Sequence, residues 1–110
     1  MLRTSILTLA LLLLLATPAL ADGTATLYGA VHDHNTPLIG AQVTIIGEAT
    51  YTSRSTQTNE NGVYYFDKLP TDEYIISAIP QPAGLYKDGS ANVFVGKGKE
   101  KEVNFPMVRK

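Results

Sequence analysis

The sequence contains no cysteine and no tryptophan among its 110 residues. Without cysteine the chain cannot form disulfides, which many small exported domains need for stability, and it has no thiol for catalysis, redox chemistry or zinc binding. Burial of apolar side chains must therefore stabilise the fold. Immunoglobulin-type sandwiches usually carry a cysteine pair packed on a tryptophan, so the absence of both residues argues against that fold.

An excess of basic residues is also missing. The chain has nine Lys and Arg residues against ten Asp and Glu residues, which gives a formal net charge of −1. Basic residues gather late, at Lys97, Lys99 and Lys101, but Glu100 and Glu102 alternate with them. This alternation indicates a solvated strand edge. No nucleic-acid partner is expected, because such a partner requires a basic stripe.

The long apolar run of the sequence lies at its N-terminus. Met1-Leu2-Arg3 carries one positive charge, Ile6–Ala16 is apolar without a charge, and Ala19-Leu20-Ala21 offers small residues at a cleavage position. A membrane span takes roughly 20 apolar residues, more than this run supplies. We predict a cleaved secretory signal peptide over residues 1–21 and one domain over residues 22–110. The protein is then exported, periplasmic or secreted, with no membrane attachment after cleavage.

Short alternating runs separated by Gly, Pro, Asn and Asp dominate the rest of the chain and predict an all-β fold. Their spacing of about ten residues is typical of a seven-stranded Greek-key β-sandwich. Gly96–Lys99 is predicted to form a hairpin turn before the last strand. The seven predicted strands are Thr24–Val31, Ala41–Ile46, Thr50–Thr58, Val63–Asp67, Glu73–Ile79, Ser90–Val95 and Glu102–Val108.

The alternation also predicts which side chains face the core, because successive residues of a strand point to opposite faces. Five large side chains are expected to point inward, whereas Val63 and Tyr65 are expected to point outward. The inward set is Tyr64, Phe66, Leu69, Tyr74 and Ile76.

Three tyrosines are the candidates for a binding surface. Tyr28 and Tyr65 are expected to face outward by alternation, and Tyr51 lies on the polar strand Thr50–Thr58. Exposed tyrosines suit protein or sugar partners because they offer apolar area with a polar tip. Single exposed aromatic residues are also common on surfaces without a binding role. The interpretation therefore depends on whether the tyrosines are contiguous.

His32 and His34 are the candidate metal ligands. They flank Asp33, and two histidines two residues apart on an extended segment can point the same way. A further ligand would have to come from elsewhere, because the chain has no other histidine. The alternative is a polar loop in which Asp33 hydrogen-bonds its own backbone amides.

No catalytic constellation is evident. None of the serines lies in a nucleophile-elbow sequence, and two histidines in one loop leave little scope for a triad. We predict that the domain is not an enzyme and binds no cofactor.

The order and spacing of several short segments resemble the carboxypeptidase regulatory-like domain of the exported bacterial type, a transthyretin-like sandwich. One departure is Asp72, which stands where the family usually has Gly. Asp tolerates a left-handed backbone better than most residues, so we expect the turn to survive. The matching segments are Gly29–Asp33, Thr36–Ile45, Thr56–Phe66, Leu69-Pro70, Tyr74–Ile76 and Gly84–Tyr86.

The resemblance implies a non-enzymatic module that stands beside other domains or acts alone as an exported accessory or binding protein. Its partner would be a protein or a carbohydrate, and transthyretin-like domains can also form a homodimer through edge strands. The alternative is a small-ligand or metal carrier that uses the His32–His34 loop.

Overall fold

The computed structural model describes residues 23–82 and 84–110. The predicted signal peptide lies outside the described residues and stays a prediction. None of the described residues belongs to a helix that could cross a membrane. The described residues form nine strands, which are β1 (Ala25–Asp33), β2 (Thr36–Pro37), β3 (Gln42–Gly47), β4 (Ser53–Gln57), β5 (Val63–Leu69), β6 (Asp72–Ile79), β7 (Gly89–Val95), β8 (Glu100–Glu102) and β9 (Phe105–Pro106).

The strands form two sheets. In the first sheet β1 is central, and it pairs antiparallel with β2 and β5 and parallel with β8 and β9. In the second sheet β4, β3, β6 and β7 follow one another, each antiparallel to the next. The all-β sandwich predicted from the sequence is confirmed, but with nine short strands in the described residues rather than seven.

The core lies between the inner faces of the two sheets, and its largest side chains come from β5 and β6. Tyr64 and Phe66 are 1% and 2% exposed, and Tyr74 and Ile76 are fully buried. Leu69 is also buried, whereas Val63 and Tyr65 are exposed. The predicted register of both strands is therefore confirmed, because a slip of one residue would reverse every assignment.

The predicted last strand, Glu102–Val108, is divided into β8 and β9. Between them the Ala30 N–H donates to the side-chain Oδ1 of Asn104 at 2.9 Å, so a side chain rather than the backbone pairs with β1 there. Gly96–Lys99 does form a turn, closed by a 3.0 Å hydrogen bond from Lys99 N–H to Gly96 O. The prediction of a hairpin is wrong, because this turn leads from β7 in one sheet to β8 in the other.

The predicted polar strand Thr50–Thr58 is shorter in the structure, where β4 begins at Ser53. Thr50 is held outside the strand by hydrogen bonds to Asp72, and Tyr51 has a left-handed backbone with φ of 59°. That left-handed conformation interrupts regular strand pairing, as it also does at Lys68, where the register of β5 with β1 shifts. Tyr51 therefore lies in the loop between β3 and β4, not on a strand.

Asp72 is not in the left-handed conformation expected for it, since the described non-glycine residues with positive φ are His34, Tyr51 and Lys68. Its buried carboxylate instead accepts hydrogen bonds from the N–H groups of Ala49, Thr50 and Glu73, and from the Thr50 hydroxyl. Burial by itself raises the pKa of this carboxyl, but the hydrogen bonds from Thr50, Ala49 and Glu73 outweigh burial and hold the pKa below its ordinary value. Asp72 thus anchors the β3–β4 loop.

Candidate binding surfaces

Tyr28 and Tyr65 stand directly opposite each other on neighbouring strands of the first sheet. Both point to its outer face, where Tyr65 is 59% exposed and Tyr28 is half-buried. Val63 lies opposite Ala30 one step along the same face. Facing residues of an antiparallel pair have Cβ atoms about 5 Å apart, so these four side chains form one continuous surface. We call Tyr28, Ala30, Val63 and Tyr65 the tyrosine face.

Carboxylates lie beside the tyrosine face. Glu102 on β8 lies beside Tyr28, and Glu100 lies beside Thr26. On β5, Asp67 follows Tyr65 by two residues, where the register with β1 shifts, and its half-exposed carboxylate lies 3.9 Å from Arg54 Nη2. The surface thus combines flat aromatic area with oxygen acceptors at its margins.

Tyr51 does not join this surface. Its side chain is 84% exposed, but its loop connects β3 and β4 in the second sheet, whereas Tyr28 and Tyr65 belong to the first. The structure therefore brings two of the three candidate tyrosines together and leaves the third alone.

His32, Asp33 and His34 line an open cavity of about 750 Å³, together with residues 106–109. Asp33 is the centre of a hydrogen-bond cluster. Its Oδ2 accepts from the Tyr86 hydroxyl at 2.8 Å and from Arg109 Nε at 3.1 Å, and its Oδ1 accepts from His34 Nδ1 at 2.8 Å. We call Asp33, His34, Tyr86 and Arg109 the Asp33 cluster.

The Asp33 cluster is tied together by charge as well as by geometry. Hydrogen bonds from His34, Tyr86 and Arg109 lower the pKa of Asp33 from 3.8 to about 2. Tyr86 and Arg109 each donate a hydrogen bond to Asp33, and each bond raises the pKa of its donor. The Arg109 guanidinium also lies over the Tyr86 ring, 5.6 Å from its centroid. Asp33 is therefore ionised at every pH above its lowered pKa.

The hydrogen bonds of the two histidines determine which ring nitrogen carries the proton. His32 Nδ1 lies 2.8 Å from the His34 carbonyl oxygen, which can only accept, so this nitrogen donates. His34 Nδ1 likewise donates to the Asp33 carboxylate. Both Nε2 atoms are left for other partners. However, no group of three or more His, Cys, Asp or Glu residues within 23–82 and 84–110 is arranged to hold a metal ion.

Sequence reasoning missed the partners of Asp33. It offered a loop in which Asp33 bonds its own backbone, but the hydrogen bonds of this carboxylate come from side chains, two of them distant. Tyr86 lies 53 residues and Arg109 lies 76 residues further along the chain. No local pattern indicates such a pair, because the contact depends on how the C-terminal segment returns to β1.

The fold is a transthyretin-like β-sandwich. Its two sheets enclose one core, and β1 is central in the first sheet. The chain belongs to the carboxypeptidase regulatory-like domain family, whose sequence model matches residues 26–108. The resemblance expected from the short segments is therefore confirmed over nearly all of the described chain.

Solved structures share the fold at low sequence identity. A candidate carbohydrate-binding protein from Bacteroides uniformis is 13% identical with a TM-score of 0.58, and the match covers 79% of this chain and 42% of that one. The minor pilin of Streptococcus agalactiae is 18% identical with a TM-score of 0.60, covering 82% and 45%. The 5-hydroxyisourate hydrolase of Klebsiella pneumoniae is 16% identical with a TM-score of 0.53, covering 83% and 97%.

The chain thus spans less than half of the first two of these proteins. A comparison with curated proteins gives no match. The likeness to solved structures concerns the fold alone, and the neighbours include an enzyme as well as proteins of other kinds. Function must therefore be argued from the surfaces of this chain.

Proposed function

We propose that this domain is an exported, non-enzymatic binding module and that its tyrosine face binds carbohydrate. The observation that carries the proposal is the direct juxtaposition of Tyr28 and Tyr65 on an open sheet face. The apolar face of a sugar ring packs on an aromatic ring, and its hydroxyls donate to carboxylates. Glu102 stands at the margin of the face where such hydroxyls would lie.

The chemistry of the ionisable groups supports a binding role over a catalytic one. A general acid or base works best with a pKa near the operating pH. The Asp33 carboxyl has a pKa of about 2, so it is a weak base at neutral pH. Burial raises the pKa of the Tyr64 hydroxyl, and the negative charge of Glu102 raises it further. This hydroxyl therefore stays protonated and donates a hydrogen bond to Val103 O.

A glycan array probed with residues 22–110 tests the carbohydrate proposal, with Tyr65→Ala and Tyr28→Ala as variants. We expect each variant to bind the glycans recognised by the parent domain with an affinity lower by at least about tenfold, a loss of about 1.4 kcal/mol of binding free energy. Tyr51→Ala is the matched control, because it removes an exposed tyrosine outside the face. Unchanged binding in both face variants, or a partner that proves to be a protein alone, would contradict the proposal.

A second proposal is that the domain forms a homodimer through β7, and the composition of this edge strand carries it. Gly89–Val95 has no charge and no proline, and its register with β6 is unbroken. No hydrogen bond joins it to a described residue outside β6. Ala91 and Val93 on its inner side are only half-buried, so a second copy would cover them. An edge strand of this kind invites pairing.

The opposite edge strand of the second sheet, β4, carries the charged Arg54, and a charge disfavours edge pairing, which makes this strand a suitable control. Arg54 of β4 donates from Nη1 to Asp67 O on β5 at 2.9 Å and so bridges the two sheets there. We expect the double variant Ser90→Lys/Asn92→Lys to convert the dimer to a monomer in analytical ultracentrifugation. The β4 variant Ser53→Lys/Ser55→Lys should leave the dimer intact. A parent protein that sediments as a monomer at high concentration would refute this proposal.

The alternative role as a small-ligand or metal carrier rests on the free Nε2 atoms of His32 and His34. Metal-binding histidines often donate their other ring N–H to a carboxylate or a backbone carbonyl, as both do here. Calorimetric titration of the parent domain and of the His34→Ala variant with copper or zinc tests this role, and only the parent should bind. Absence of heat at micromolar metal would end it.

A further inference from the structure

The crossover from β7 to β8 places three lysines beside an exposed aromatic ring. Lys97, Lys99 and Lys101 line an open cavity of about 600 Å³ together with Phe94, Gly96 and Glu100. Phe94 is 57% exposed and points outward from the second sheet. Sequence alternation alone indicated a solvated strand edge here. The structure adds the ring, which belongs to the preceding strand.

Two of these side chains converge on the same point. A methyl group added at Gly96 would lie 3.6 Å from Cε2 of Phe94 and 3.8 Å from Cγ of Lys99. The ring of Phe94 and the aliphatic stem of Lys99 therefore both approach Gly96. A ligand that contacts the ring is within reach of the lysine ammonium group.

The backbone of the crossover is held in place on both sides. Gly98 has φ of 69°, and its N–H donates to the Thr24 hydroxyl at 2.9 Å. Lys99 O accepts from Thr26 N–H at 2.9 Å, and Lys99 N–H donates to Gly96 O. The lysines are thus presented from an ordered turn, which lowers the conformational entropy lost on binding.

The charge of the site is unbalanced. Three ammonium groups share the cavity with the carboxylate of Glu100, and Glu73 of β6 lies opposite Phe94, so the lysines outnumber the nearby carboxylates by three to two. Within residues 23–82 and 84–110, the ion pairs closer than 4.0 Å are those of His34, Arg54 and Arg109, so none neutralises these lysines. A surplus of positive charge beside an apolar ring favours an anionic ligand that also has an apolar face.

We propose that this crossover site binds acidic polysaccharide, a sugar chain that carries carboxylates. The sugar ring packs on Phe94 and its carboxylates pair with Lys97, Lys99 and Lys101. An anionic membrane is less suitable, because polybasic membrane anchors take clusters of about four to eight cations and this site has three lysines. The lysines and Phe94 of this site are not part of the tyrosine face, although Glu100 lies near both, so the proposal stands whether or not that face binds a neutral sugar.

Calorimetric titration of residues 22–110 with polygalacturonate tests the proposal, with the methyl-esterified polymer as a neutral control. We expect binding to the acid form that weakens with added salt, as it does for exposed charges. The double variant Lys97→Gln/Lys99→Gln should lose at least about tenfold in affinity, a change of about 1.4 kcal/mol. Phe94→Ala should weaken binding while the salt dependence remains.

The charge-matched control is Lys87→Gln/Lys110→Gln, which removes two exposed lysines elsewhere and should bind like the parent. Tyr65→Ala should also bind polygalacturonate normally, which separates this site from the tyrosine face. No heat with the acid polymer, equal affinity for its methyl ester, or full binding by the Lys97/Lys99 variant would overturn the proposal. Stronger binding to phosphatidylglycerol vesicles than to polygalacturonate would overturn it as well.

Discussion

The hydroxyl of Tyr86 donates a 2.8 Å hydrogen bond to Oδ2 of Asp33, across 53 residues of sequence. Arg109 donates to the same oxygen from the C-terminal segment. Lys110 N–H and Lys87 N–H pair with the backbone oxygens of Leu85 and Val108 beside it. The Asp33 cluster therefore joins the end of β1, the loop before β7 and the C-terminal segment into one unit.

The Asp33 cluster predicts a specific acid sensitivity. The folded-state pKa of Asp33, about 2, lies below the ordinary 3.8, so the unfolded chain binds the proton more tightly. The stabilisation of the folded state by the ionised Asp33 carboxylate is therefore complete above pH 3.8, and it is lost as the pH falls through 2. We expect Asp33→Asn to be less stable than the parent at neutral pH, with the difference shrinking between these values. Urea unfolding at a series of pH values measures it.

Tyr86→Phe provides the control for that experiment, since it keeps the ring and removes the donor. The pKa of Asp33, followed by NMR of its carboxyl carbon, should move up toward the ordinary value in this variant. If the stability of Asp33→Asn fell with acid in the same way as that of the parent, other carboxylates would dominate the acid transition.

Replacement of Asp72 by glycine should lower the stability of the fold. Asp72→Gly leaves the N–H groups of Ala49 and Thr50 without their acceptor in a partly buried loop. Unsatisfied donors of this kind cost about 1–3 kcal/mol each when buried, so we expect the free energy of unfolding to fall by about 2–3 kcal/mol. Chemical denaturation measures it.

Asp67→Ala is the matched comparison, because the Asp67 side chain is 51% exposed and its contact with Arg54 is 3.9 Å long. We expect a change within about 0.5 kcal/mol there, as for ordinary surface substitutions. If Asp72→Gly proved as mild as Asp67→Ala, the loop would not depend on the buried carboxylate.

The register of β5 predicts opposite outcomes for two adjacent aromatic residues. Phe66 is 2% exposed and packs near Tyr64, with ring centroids 6.0 Å apart, whereas Tyr65 is exposed. Phe66→Ala should lower the free energy of unfolding by about 3–5 kcal/mol. Tyr65→Ala should lower it by less than about 1 kcal/mol. Similar losses in both variants would mean that the strand faces are assigned incorrectly.

The parts of the fold that could be predicted are those that depend on neighbouring residues. Alternation was sufficient for Tyr64 and Phe66, because a strand with one buried face has only one compatible register. The turn at Gly96–Lys99 was also recognisable from its glycines. Its destination was not, because local pattern carries no information on whether a turn joins strands of one sheet or crosses to another.

The candidate sites follow the same division. Tyr28 and Tyr65 were each predicted to face outward, but their contact depends on the pairing of β1 with β5, which no local pattern specifies. The Asp33 cluster depends on the parallel return of β9 beside β1. Contacts over such sequence separations require the tertiary fold.

Substitution of Gly29 should destabilise the fold, because the backbone of the segment between β8 and β9 passes directly over this residue. An alanine Cβ at this position would lie 1.8 Å from the Val103 carbonyl oxygen and 2.9 Å from the Tyr64 hydroxyl. Overpacking against backbone costs about 1–3 kcal/mol or more, since neither strand can move without losing its pairing. Gly96→Ala is the control, where the nearest atom is 3.6 Å away. Thermal unfolding should separate the two variants by several degrees, and equal midpoints would refute the close approach.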